Sequence, residues 1–308
     1  MAELPTLPDD VKLIDVLHLG RPKAIACYLL LGDEPALVDP GPASALPGLE
    51  AGLAEHGLRV EDLRALLLTH IHLDHAGATG TLARRNPHLR VYVHQAGAPH
   101  MVEPERLLRS ATRLYGDQME YLWGEFLPTP QAQVTALSGG ERITVGKRLF
   151  DVTYAPGHAS HHVLYHEAAS GGVWVGDDAG LRMPGFTYVR PATPPPDIDL
   201  DAWQHTLDAM LAFKPRFLAL THFGAYPDAE RHVTELRQRM QAWSNVVRAG
   251  LASGEDDASQ SRRLQEQAAA ELAGAPAGAN ELYMQAASVD QCWQGLARYW
   301  RKKAEAGA

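Results

Sequence analysis

Nine residues, Thr69-His70-Ile71-His72-Leu73-Asp74-His75-Ala76-Gly77, constrain this chain more than any other stretch. They place three imidazoles and a carboxylate directly after the apolar run 63–68. Such a run reads as a buried strand, so the polar cluster falls at its mouth, where loops carry function on a rigid scaffold. Neutral imidazole and carboxylate suit first-row divalent metals, which makes the cluster a metal-site candidate. His70 and His72 are two apart and leave the same face of an extended segment, so both can reach one ion. Asp74 and His75 are adjacent and diverge, so His75 serves a second ion more naturally. One loop can therefore seed two sites.

Three later stretches offer ligands in similar settings. His158 lies in Ala155-Pro156-Gly157-His158-Ala159-Ser160-His161-His162, Asp177 closes Gly172-Val173-Trp174-Val175-Gly176-Asp177, and His222 follows Phe217-Leu218-Ala219-Leu220-Thr221. The order His-x-His-x-Asp-His, then Gly-His, then Gly-Asp, then a late His resembles the metallo-β-lactamase-fold hydrolase superfamily over roughly residues 12–223. Its glyoxalase II and lactonase-like branch, with a C-terminal helical extension, is the nearest pattern.

That resemblance implies an α+β fold, a four-layer αβ/βα sandwich of two mixed sheets with helices outside and metals at one edge. It implies that His70, His72 and His158 hold one ion, Asp74, His75 and His222 a second, with Asp177 bridging. In the family an aspartate at the place of Asp39 lies just behind the ligand histidines, and His162 matches a histidine that orients them. Such outer groups fix the tautomer and orientation of ligating imidazoles. Asp39 could equally make an Asx turn before Pro40. Many relatives carry glycine where this chain has His161, a departure that concerns the pocket wall rather than the metal ligands. The glycine–aspartate pattern selects Asp177 over Asp178, which is left to cap the next segment or face solvent.

Composition narrows the partners. The formal net charge of −9 argues against nucleic acid, whose binders usually carry a basic face. Two cysteines, Cys27 and Cys292, make neither a disulfide framework nor a thiolate metal site. The first ten residues lack the basic and apolar regions of a signal peptide, and no apolar run is long enough to span a bilayer. A cytoplasmic protein with a small-molecule substrate and no membrane partner is expected.

Along the chain, residues 11–17, 24–31, 36–39, 63–68, 91–94, 146–154 and 162–166 read as strands, and 46–56, 79–85 and 199–213 as helices. Residues 99–128 interrupt this rhythm with one or two amphipathic helices. Their Met101, Leu108, Tyr115, Met119, Trp123 and Phe126 either line a substrate pocket or simply pack. Tyr188, in a proline-rich loop, is a candidate substrate-binding hydroxyl able to stabilise an oxyanion. The catalytic domain is expected over 1–224 and a helical extension over 225–308, with helices at 228–251, 259–272 and 281–303 and a break at 274–279. The extension is expected to cap the site, buttress the sandwich or form a homodimer interface.

The function implied by the resemblance is hydrolysis of a small ester, lactone or thioester by a hydroxide shared between two divalent ions, with Asp74 orienting it or protonating the leaving group. Zinc leads, and iron or manganese is compatible because every ligand is nitrogen or oxygen. One alternative is a mononuclear iron persulfide dioxygenase, disfavoured by the persistence of Asp74, His75 and His222. Another is a regulatory or binding protein with incidental hydrolysis.

Overall fold

The computed structural model describes residues 7–275 and 278–307. Pro276 and Ala277, within the expected break at 274–279, and the N-terminal residues 1–6 lie outside that range. The chain completes one six-stranded sheet before starting another. The first contains β1 (Val11–Asp15), β2 (Ala26–Leu30), β3 (Ala36–Val38), β4 (Ala65–Leu67), β5 (Arg90–His94) and β6 (Val134–Leu137), side by side in chain order. Pairing is antiparallel up to β3 and parallel from β3 to β6. The second contains β7 (Arg142–Val145), β8 (Arg148–Tyr154), β9 (Val163–Glu167), β10 (Gly172–Gly176), β11 (Phe217–Leu220) and β12 (Gly224–Tyr226). Only β10 and β11 are parallel in it.

The period-2 alternation of the strands assigns each side chain to a layer. In β2, Ala26, Tyr28 and Leu30 face the interior shared with Tyr165 and Trp174 of the other sheet. Cys27 and Leu29 face the opposite way, onto α1 (Leu46–Glu55) through Leu49 and Leu53. Both faces are buried, which is why these strands read as continuous apolar runs. A one-turn helix α2 (Leu73–Ala76) and α3 (Thr79–Arg85) follow β4. The insertion forms α4 (Ala98–Val102), α5 (Glu105–Tyr115) and α6 (Met119–Trp123).

Beyond the second sheet, α7 (Leu200–Ala212) places Trp203, Leu207 and Met210 against Leu164, Val173 and Val175. Asp199 caps it by accepting the N–H groups of Asp201 and Ala202, which satisfies donors a helix start leaves free. The extension comprises α8 (Ala229–Ser253), α9 (Asp257–Glu271), α10 (Ala279–Ala286) and α11 (Val289–Ala306). Trp243, Leu264, Trp293 and Leu296 from three of these helices form a core of their own. No helix among the described residues is long and apolar enough to cross a membrane.

Three expectations need adjustment. The strand β12 pairs with β11, so the second sheet runs past 224 to Tyr226. The helix expected over 281–303 is two helices, because Ala287 and Ser288 adopt extended backbone between them. Asp74 and His75 lie on the helical turn α2 rather than in an irregular loop.

Candidate metal centre

The ligand candidates converge at one edge of the sandwich because β4, β10 and β11 all end there, joined by the turn between β8 and β9. The sheets are tied together at this edge. Val163 N–H donates to Thr69 O at 2.8 Å, and Ala26 N–H donates to Thr221 O at 2.8 Å. The hydroxyls of Tyr28 and Tyr165 reach Leu220 O and Leu68 O at 2.8 and 3.0 Å. Backbone groups freed at the strand ends are thus satisfied across the interior, which fixes the relative positions of His70 and His222.

Three overlapping donor sets result, namely His70, His72 and His158, then Asp74, His75 and His222, and between them His70, His75 and Asp177, the ligand atoms of each lying within 4.8 Å of one another. In the first, His158 Nε2 is 2.9 Å from His72 Nδ1. In the second, His222 Nε2 is 3.2 Å from Asp74 Oδ2. Asp177 spans them. Its Oδ1 lies 3.3 Å from His75 Nε2 and 3.6 Å from His222 Nε2, while its Oδ2 lies 3.5 Å from His158 Nε2.

The outward nitrogens are anchored. His158 Nδ1 and His222 Nδ1 meet the carbonyls of Ala192 and Ala24 at 2.8 and 2.7 Å. His75 Nδ1 meets Asp39 Oδ2 at 2.9 Å. His70 Nδ1 is 3.1 Å from the Thr69 hydroxyl, which itself donates to Asp39 Oδ2 at 2.7 Å. Carbonyl and carboxylate partners require Nδ1–H, so Nε2 is the ring atom these histidines turn inward as a potential ligand. His162 lies behind them, its ring stacked on His70 at 4.8 Å. Asp178 is fully buried with Oδ2 2.9 Å from His162 Nδ1 and Oδ1 accepting the N–H of His158 at 3.2 Å. It therefore braces the ligand loop and does not face solvent. Gly176, at φ +47°, is needed before Asp177 because a Cβ there would meet Thr69 Oγ1 at 2.4 Å and His162 Nε2 at 2.7 Å.

Electrostatics divides the centre. Burial and then the neighbouring imidazoles hold His70 well below the ordinary histidine range. Burial and then His158 bring His72 down to about 3. Burial also lowers His158, against the opposing pull of Asp177. In His75 and His222 burial acts downward too, but Asp177 and Asp74 outweigh it and raise both. Burial pushes Asp74 and Asp177 upward, and the facing imidazoles overcome it and hold both carboxylates ionised.

This donor set fits divalent metal. His70 Nε2 is buried without a hydrogen-bond partner among the described residues, and His75 Nε2 and Asp177 Oδ1, 3.3 Å apart, are not aligned as a hydrogen bond, an arrangement that a cation between the donor sets would satisfy. The ionised carboxylates and the lowered His70, His72 and His158 are in the states that coordinate metal, while at His75 and His222 a cation would displace the proton that Asp177 and Asp74 favour.

A cavity of about 680 Å³ opens on the centre, lined by His72, Asp74, His158 and Asp177. Its other walls come from α5 and from α11 with the segment before it, so the extension covers the site. His161 stands in the wall, its Nδ1 3.5 Å from the N–H of Ile71 and its ring 5.5 Å from His72. Of the six apolar candidates in the insertion only Tyr115 lines the cavity, while Met101 and Phe126 are buried in the core under the first sheet. The expectation for Tyr188 is corrected. Its hydroxyl donates to Glu271 at 3.1 Å, with its ring 5.0 Å from Tyr283 and under the Arg239 guanidinium, outside the cavity lining. Thr221, whose hydroxyl donates to Asp39 at 3.0 Å, was missed. Its signal was present in the sequence, since Thr69-His70 and Thr221-His222 repeat one dipeptide after an apolar run.

The family model of the metallo-beta-lactamase superfamily matches residues 20–222. The chain belongs to this superfamily of metallo-hydrolases. It is 25% identical to the metallo-beta-lactamase fold-containing protein ST1585 of Sulfurisphaera tokodaii, over 75% of this chain and 85% of that one. It is 30% identical to a hydroxyacylglutathione hydrolase of Thermosynechococcus vestitus over 49% of this chain and 48% of that protein, so it spans about half of that relative's length. The crystal structure of a metallo-beta-lactamase family protein from Thermus thermophilus superposes with a TM-score of 0.73 at 25% identity, covering 97% of this chain and 95% of the other.

Proposed function

We propose that this chain uses two divalent ions to hydrolyse a small-molecule ester, lactone or thioester. The observation that carries the reading is Asp177, whose two oxygens face different donor sets, Oδ1 toward His75 and His222 and Oδ2 toward His158. His70, His72 and His158 would hold one ion and Asp74, His75 and His222 the other. Bound ions would supply Lewis acidity toward the substrate carbonyl and acidify a water to near neutral pH. Zinc is the foremost candidate, and iron or manganese satisfies the same nitrogen and oxygen ligands. The similarity to a hydroxyacylglutathione hydrolase supports a thioester or ester over a phosphodiester.

The chain's own residues do the rest. Asp74 is the most exposed carboxylate of the centre, 19% against 7% for Asp177, and it lines the cavity. Ionised, it would aim the attacking water and take its proton as the water oxygen bonds to the carbonyl carbon, then deliver that proton to the oxygen or sulfur that leaves as the acyl bond breaks. Tyr115 reaches the same cavity from α5. Burial, then Asp74 and Asp177, push its phenol upward, so it stays protonated as a donor to the substrate carbonyl.

The test is turnover of an acyl-homoserine lactone, an acyl thioester, an aryl ester and a phosphodiester by metal-loaded protein and by a His70→Ala control. Metal-dependent cleavage of a lactone, ester or thioester, lost in the control, is expected. Silence across those three with metal bound, or oxygen uptake on a persulfide, overturns the reading.

A further inference from the structure

Beyond the metal ligands, the cavity walls carry an excess of positive charge drawn from two separate elements. Arg106 and Arg113 stand seven residues apart on one side of α5, and Arg298 comes from α11. Among the described residues none of the three has a carboxylate within 4.0 Å. Arg113 reaches only Ser110 Oγ at 3.4 Å, and Arg298 donates to Pro196 O at 3.2 Å. Several exposed arginines, such as Arg85, Arg90 and Arg301, are paired with carboxylates, and what distinguishes Arg106, Arg113 and Arg298 is that all three line one cavity. Apart from the metal ligands, the acid on these walls is Asp197, which takes the Ser160 hydroxyl at 3.2 Å and cannot neutralise three guanidiniums. Behind one wall lies a fourth. Arg190 is fully buried, its Nη1 3.4 Å from Ala287 O and its Nε and Nη2 without partners among the described residues. Ala287 lines the cavity, so this guanidinium, which meets the Tyr188 and Tyr283 rings at 5.8 and 5.1 Å but no carboxylate among the described residues, adds positive potential behind that wall.

We propose that the substrate bears an anionic group, phosphate or carboxylate, on the arm that points away from the metal centre, and that Arg106, Arg113 and Arg298 receive it. The inference rests on the hydrolase reading above and names its substrate class. The planar guanidinium fork matches both anions in a bidentate manner. Leu107 and Leu114, seven apart on α5, line the same cavity and offer an apolar bed to the aliphatic part between the scissile bond and the anion. Because the arginines belong to both the insertion and the extension, an anion held by them also links the two elements that cover the site.

The test compares three thioesters with one acyl group, on N-acetylcysteamine (neutral), glutathione (carboxylates) and 4′-phosphopantetheine (phosphate). The enzymes are the metal-loaded full chain and its R106A/R113A/R298A variant, whose altered residues are all exposed. At least one anionic thioester is expected to show a KM about tenfold below the neutral one in the wild type, an advantage lost in the variant. The gain is read within each enzyme as the ratio of the anionic to the neutral KM, so a general change in the cavity cancels. Which carrier gains distinguishes carboxylate from phosphate, and added salt erodes the gain. Equal KM for all three carriers, or an advantage that survives in the variant, overturns the proposal while leaving the hydrolase reading standing. If no thioester is cleaved, the hydrolase reading fails, and calorimetric titration with S-methylglutathione and S-methylphosphopantetheine decides the anion site. Binding weakened about tenfold in the variant sustains it. Equal binding, or none, overturns it.

Discussion

Asp39 Oδ2 lies 2.9 Å from His75 Nδ1, and the same oxygen takes the Thr69 and Thr221 hydroxyls at 2.7 and 3.0 Å. Its other oxygen accepts the N–H of Thr69 at 2.8 Å. One buried carboxylate therefore orients His75 directly and His70 through Thr69, gripping a ligand of each donor set. Replacing Asp39 with Ala is expected to weaken metal affinity about 10- to 100-fold, measured by competition with a chelating dye. Asn tolerates the φ of +51° found here and should keep the fold while losing part of the affinity. Unchanged affinity in the Ala variant contradicts this role.

Tyr115 and Tyr188 separate by assay. Tyr115→Phe removes a donor inside the cavity and is expected to lower kcat/KM by about tenfold or more. Tyr188→Phe loses only the bond to Glu271 and should leave kinetics unchanged while costing about 1 kcal/mol in urea unfolding. The reverse pattern would restore the role that the sequence suggested for Tyr188.

Gly295 is where α11 docks on the loop that walls the cavity. A Cβ there would lie 2.0 Å from Thr193 O and 2.8 Å from the carbonyl carbon of Pro194, backbone atoms that cannot swing away. Gly295→Ala should destabilise the chain by about 1–3 kcal/mol and raise KM, because the helix must lift off the site. Stability and KM equal to wild type would show that this contact does not set the cavity wall.

His232 sets one limb of the acid response. Burial lowers it to about 4, against the opposing hydrogen bond to Ala179 O at 2.7 Å. The unfolded chain protonates this ring near pH 6.5 and the folded chain does not, so its contribution is present above about 6.5 and is lost as pH falls toward 4. The loss integrates to about 3 kcal/mol as an order of magnitude. His232→Gln should flatten the stability–pH curve in that window, followed by denaturant unfolding, and an unaltered slope would exclude His232 as its source.

How much of this was legible follows from where the information resides. The seven candidate ligands were visible because they follow apolar runs in an order that resembles the superfamily, and that resemblance, not periodicity, suggested their roles and that of Asp39. Strand positions were equally visible because Ala26 to Leu30 or Phe217 to Leu220 must bury both faces. Long-range pairing was not. Asp178 shows no local sign of its approach to His162, and Tyr188 sits in a plausible loop whose path takes it to Glu271. The edge strand β12 has three residues, Gly-Ala-Tyr, too few to carry a period. Nor does spacing reveal that α5 and α11 share one cavity, since their arginines lie about 190 positions apart in the chain.

The central claim is a dinuclear hydrolytic centre, and the most direct measurement is a titration of metal-free protein with zinc, manganese or iron(II) while thioester cleavage is followed. Activity should rise to a break at two equivalents per chain, and Asp177→Asn should lower both the affinity for the second equivalent and the final rate. A break at one equivalent, or two bound ions without cleavage of ester, lactone or thioester, would contradict the account.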